Sequence, residues 1–121
     1  MSYDLRLAVR VEDTDIFAVI DEPELNSPTY NLGKMFRACT GWDFKQGEFY
    51  RVSDVLPKIE HGIHELKFNP HDYASMEPDN GWGTVSGAID ALESLLECIE
   101  HNVSGGWTWN QIPPDKLYVA W

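Results

Sequence analysis

The chain has 121 residues, with 20 Asp and Glu against 9 Lys and Arg, a net charge of −11 and a pI near 4.5. A 43% apolar content and five tryptophans exclude a disordered tail, and the length suits one domain that buries a core without disulfides or metal. The charge argues against direct nucleic-acid binding, since phosphate contacts need clustered Lys and Arg; a basic protein surface is the more natural partner, unless the acidity only keeps the protein soluble.

Tyr3, Leu5, Leu7, Val9 and Val11 alternate with Asp4, Arg6, Ala8 and Arg10, the period of a strand with one buried face. Glu12-Asp13-Thr14 reads as a turn, and Asp15 to Ile20 as a second strand closing a hairpin. Its Ile-Phe-Ala-Val-Ile run is apolar on both faces, which predicts a central strand or one covered by a helix. Glu12, Asp13, Asp15, Asp21, Glu22 and Glu24 make six acids without a base in thirteen residues. The same apolar run, the longest in the chain, is too short to span a bilayer. The charged opening Met1-Ser2-Tyr3-Asp4 has no leader-like apolar region, so the expected location is cytoplasmic.

Leu32 to Cys39 has Met35, Phe36 and Cys39 at helical spacing, with Asn31 or Ser27 as candidate caps and Thr40-Gly41 as a glycine stop. Trp42 to Tyr50 reads as irregular, with a short strand at Glu48 to Arg51. Ser53 is expected to cap a helix to about Lys67, with Pro57 in its first turn and Val55, Leu56, Ile59, Ile63 and Leu66 as its apolar stripe. Gly62 at the edge of that stripe lowers helix propensity, which close packing against a neighbour would explain. Asn69-Pro70 opens a short helical turn through Met76.

After Asn80-Gly81-Trp82-Gly83, Thr84 offers an N-cap hydroxyl to a helix running to Glu100. Val85, Ala88, Ile89, Leu92, Leu95, Leu96 and Ile99 form its apolar stripe. Asp90, Glu93, Glu97 and Glu100 share a second face, and Gly87, Ala91, Ser94 and Cys98 form a third line of small residues. The loop that follows holds Gly105-Gly106-Trp107-Thr108-Trp109, in which Trp107 and Trp109, two apart, share one face of an extended segment. Such a pair either caps the core or forms an interface hot spot. Leu117, Val119 and Trp121 alternate as a last strand. The expected fold is α+β: a sheet of three to four strands, both terminal strands included, packed with two to three helices.

No catalytic signature stands out. His61 and His64 lie three apart with Glu65 outside them, unlike the zincin pattern, and read as a solvated helix face that His71 would have to join to complete a metal site. Cys39 and Cys98 sit among core-like neighbours rather than in the electropositive setting a reactive thiolate needs. No cofactor or metal is expected.

The Met1-Ser2-Tyr3-Asp4 strand, Thr29-Tyr30-Asn31 before a Phe36-containing helix, Gly62-Ile63, and Asn80-Gly81-Trp82-Gly83 before a leucine-rich helix resemble a group of small bacterial and phage proteins of uncharacterised activity. The ending from Trp107 to Trp121 is not part of that pattern. The resemblance implies only a cytoplasmic accessory protein of phage or prophage setting. The leading expectation is therefore a non-enzymatic acidic inhibitor or mimic that docks on the basic groove of a nucleic-acid-handling enzyme, of anti-restriction, anti-CRISPR or nuclease-immunity type. Its surface would be Glu12, Asp13, Asp15, Asp21, Glu22 and Glu24 with Asp90, Glu93, Glu97 and Glu100. The alternatives are a phage structural or assembly protein joined through Trp107 and Trp109, and a metal-dependent enzyme built on His61, His64 and His71.

Overall fold

The computed structural model describes residues 5–25, 32–77, 84–105 and 111–121. Among the described residues, eight elements follow in order: β1 (Arg6–Arg10), β2 (Phe17–Asp21), α1 (Gly33–Thr40), β3 (Phe49–Arg51), α2 (Val52–Phe68), α3 (Pro70–Ala74), α4 (Val85–Ser104) and β4 (Leu117–Ala120). The strands form one antiparallel sheet in the order β2-β1-β4-β3, an α+β fold with both terminal strands side by side at its centre.

That adjacency follows from the alternation at the two ends of the chain. Leu7 pairs with Val119 and Val9 with Leu117. Leu7, Leu117 and Val119 are fully buried and join Leu92, Leu95 and Ile99 of α4 and Val55 and Ile59 of α2 in one core. The opposite face of the sheet is covered at its middle too, which is why Ala8, Tyr118 and Ala120 are also buried. Phe17 of β2 stacks on Phe49 of β3 with ring centroids 4.3 Å apart, and Tyr118 meets Phe17 edge-on at 5.0 Å. The small side chains of Ala8 and Ala120 leave room beneath these rings.

One strand departs from its expected place. β2 is neither central nor covered: it is an edge, and Val19 and Ile20 are 46% and 42% exposed. A run that is apolar on both faces fits a buried strand, but it equally fits an edge whose two faces stay open. In the turn before it, Asp13 takes φ 61°, tolerable for Asp, and Thr14 Oγ1 donates to the Val11 carbonyl (2.7 Å) while accepting from the Ile16 amide (3.1 Å).

The helices begin and end close to where caps and stops predict. Thr84 Oγ1 accepts from the Gly87 amide at 3.0 Å, and α4 runs one turn past Glu100 to stop at Gly105, φ 85°. α1 ends at Gly41, φ 70°. Ser53 is not a cap: α2 starts at Val52 with Arg51 as the N-cap residue, which moves Pro57 out of the first turn and into the helix. The Ser53 amide is instead bonded to the Pro114 carbonyl at 2.9 Å. The caps proposed for α1, and Trp82, Trp107 and Trp109, lie outside the described residues. The segment after α1 reads as irregular, yet it supplies core. Trp42 and Phe44 are buried, Phe44 stacks on Trp121 (4.3 Å), and Phe36 and Trp42 close the same aromatic cluster.

Gly62 holds the helices together by having no side chain. A Cβ there would lie 2.5 Å from Thr40 Cγ2 and 3.3 Å from both Cys39 Sγ and Leu92 Cδ1, so α2 sits against α1 and α4 at this point. Gly62→Ala is expected to destabilise the fold by about 1–3 kcal/mol of overpacking, less the roughly 1 kcal/mol gained in helix propensity. Adding Thr40→Ser, which removes the crowding methyl but keeps the hydroxyl bonded to the Phe36 carbonyl, should restore part of the loss in urea denaturation. A Gly62→Ala protein that gained the full ~1 kcal/mol of helix propensity would show that the close approach is dispensable.

Candidate functional site

The end of β2 and the C-terminal turns of α4 meet around Asp21. Its Oδ2 accepts from Asn102 Nδ2 (2.9 Å) and from the Cys98 thiol (3.4 Å), and its Oδ1 from the Glu22 amide (2.9 Å). Asn102, 4% exposed, also donates to the Cys98 carbonyl (2.8 Å), so a buried amide anchors the carboxylate from inside the helix. Partial burial pushes the Asp21 carboxyl up, but the bonds from Asn102, Glu22 and Cys98, with the charge of His101, outweigh it and leave the pKa lowered. The Cys98 thiol is pushed up to about 12, first by burial and then by its bond to Asp21.

Around this anchor lies a cleft of about 380 Å³ lined by Glu22, Glu24 and Glu97 together with Ser94 and His101. The structure thus brings one half of the acidic loop onto the acidic helix. The other half goes elsewhere: Asp13 and Asp15 are exposed at the hairpin tip, beyond the far end of β2, and Glu12 lines a different cleft. Asp90, Glu93, Glu97 and Glu100 are all exposed along α4, as the helical spacing predicts, but Glu93 is bridged by Lys67 of α2 at 3.2 Å.

The second cleft, of about 640 Å³, is lined by Arg10, Arg51 and Lys116 together with Glu12, Asp115 and Tyr118, whose hydroxyl is 3.2 Å from Arg51 Nη2. It concentrates three of the chain's nine bases. Nothing along the sequence signals it, because the bases come from β1, the end of β3 and the turn before β4.

The histidines do not converge. His61 and His64 are exposed on α2, His71 on α3, and the His64 ring packs on Phe68 at 4.5 Å. Glu65 accepts from Asn69 (2.8 Å) and Tyr73 (3.1 Å), bonds that lower its pKa, rather than turning to a metal. Among the described residues no group of three or more His, Cys, Asp or Glu is arranged to hold a metal ion, and no helix is long and apolar enough to cross a membrane. Cys39 is buried beneath α2 and its thiol is pushed up to about 12 by that burial. Comparison with protein-family models, with curated proteins and with solved structures finds no match for this chain.

The bonds that Asp21 accepts from Asn102, Glu22 and Cys98 have two measurable consequences. Asp21→Asn should speed alkylation of Cys98 above pH 8, since burial remains but the carboxylate that favours the protonated thiol is gone, whereas Cys39 should stay as slow as before. Because the folded pKa of Asp21 is lowered, its charge contributes stability above the usual carboxylate pKa, and that contribution is lost as pH falls through the folded value. The stability gap between wild type and Asp21→Asn should therefore close on acidification. Unchanged alkylation, or a gap that persists in acid, would contradict this geometry.

Proposed function

We propose that this protein is a binding protein rather than a catalyst, and that it docks through its acidic surface on a basic surface of a protein partner. The observation that carries the reading is the meeting of Glu22 and Glu24 with Glu97 in one cleft whose lining contains no Lys or Arg. Concentrating like charge this way costs self-repulsion, which a basic partner would relieve on binding. Asp21, held by Asn102, fixes the path of the loop and so keeps the acids together. The basic groove of a nucleic-acid-handling enzyme has the complementary chemistry, which makes an inhibitor of such an enzyme, in a phage or prophage setting, the narrower form of this reading. The two high thiol pKa values also favour binding, since neither cysteine is poised as a nucleophile.

The test compares proteins captured from cell lysate by wild type and by a Glu22→Gln, Glu24→Gln, Glu97→Gln variant. All three positions are exposed, so the variant should keep its fold and melting temperature. Wild type is expected to retain a partner with a basic surface and to release it as the Debye length shrinks from about 10 Å at 0.1 M salt to about 3 Å at 1 M. The variant should fail to retain it. Equal capture by both proteins at every salt concentration would overturn the reading.

A further inference from the structure

The outer edge of β2 carries a feature that the acidic surface alone does not explain. Five exposed acids frame an apolar strand, Glu12, Asp13 and Asp15 at one end and Glu22 and Glu24 at the other. Between them the strand is open on both faces. Val19 is 46% exposed on the face carrying the Phe17 ring, and Ile16 and Ile20 are 63% and 42% exposed on the other. No described strand pairs with this edge. The Val11 amide bonds to the Ile16 carbonyl (2.8 Å), and antiparallel alternation from that pair turns the amides and carbonyls of Phe17 and Val19 outward. The other edge, β3, is only three residues long and runs directly into α2. β2 has five residues and contains neither the Lys nor the Pro that commonly blunts an edge.

We propose that β2 takes up an extended segment of a partner protein as a fifth strand, and that this segment has an apolar centre with Lys or Arg at both ends. The proposal rests on the acidic-docking reading above and specifies the form of its partner. Charge selects the occupant. A second copy of this chain is disfavoured in either direction: antiparallel pairing about Val19 sets Glu22 and Glu24 opposite Ile16 and Thr14 of the other copy, flanked by its Asp15 and Asp13, and parallel pairing sets each acid near itself. A segment with basic ends instead meets an acid at both. From Asp15 to Glu22 a strand spans about 23 Å, so the segment needs four to six central residues, roughly the length of an ordinary strand. Main-chain bonds at Phe17 and Val19 would supply affinity and the flanking charges the direction of approach.

The probe is a fluorescent nine-residue peptide of alternating valine and threonine with two lysines at each end. Two versions carry N-methyl groups on one or the other set of alternate amides, which removes hydrogen-bond donors along one edge without changing charge. At about 0.1 M salt the parent peptide should bind, one methylated version should lose about tenfold or more in affinity, and the other should stay within about threefold of the parent. Val19→Asp, at an exposed site and checked by thermal melting, should also weaken binding, although it adds a negative charge. Glu22→Gln with Glu24→Gln should weaken binding in a salt-dependent way. If both methylated peptides bind like the parent and only the charge variant fails, strand addition is overturned while acidic docking stands. If no peptide binds, strand addition is overturned, and the lysate comparison decides the acidic reading separately.

Discussion

The pairing of β1 with β4 is the constraint on which the other elements depend. Strands from opposite ends of the described chain lie side by side at the centre of the sheet, with Leu7 against Val119 and Val9 against Leu117. Their buried side chains give α2 and α4 the apolar surface on which to pack, and β4 carries Trp121 into the cluster with Phe36 and Phe44 that secures α1. Closing so long a loop costs conformational entropy, but that cost grows only logarithmically with loop length, and a continuous core offsets it. Gly62 then sets how closely the helices approach one another.

Placing the terminal strands at the centre pushes β2 to the edge, and the charge pattern takes its meaning from that displacement. On a central strand, the apolar run from Ile16 to Ile20 would be core and the acids around it ordinary turn residues. On an edge, the same run is exposed, and under the proposal above the flanking acids would select what pairs with it. Asp21 links this edge to the helix: Asn102, buried in α4, holds the strand end where Glu22 and Glu24 meet Glu97. One buried amide thus joins the second half of the acidic loop to the acidic helix face.

The parts of this arrangement that were legible in the sequence are those with a period or a cap. The stripe from Val85 to Ile99, the Thr84 hydroxyl, the glycine stop at Gly41 and the presence of both terminal strands in the sheet lie where local pattern places them, but Ala8, Tyr118 and Ala120 are buried on the face the alternation leaves open and Val11 is exposed. Gly62 was legible as a close approach, though not its partners Thr40 and Leu92. Sequence pattern misplaces β2 because it reports which residues share a face, not whether that face is covered. Trp42 and Phe44 carry no core signal in the sequence, because irregular backbone has no period to expose them. The six acids read as one stretch, whereas a five-residue strand parts them into two groups at opposite ends. The cleft of Arg10, Arg51 and Lys116 exists only after folding.

Backbone amide exchange, resolved by residue, tests the central claim most directly. In the free protein the amides of Phe17 and Val19, turned away from β1, should exchange much faster than that of Ala18, which faces it. On binding the basic-ended peptide, Phe17 and Val19 should become protected while the amides of α4 stay as they were. Binding that leaves Phe17 and Val19 exchanging as before, with new protection confined to α4, would contradict a partner strand on this edge.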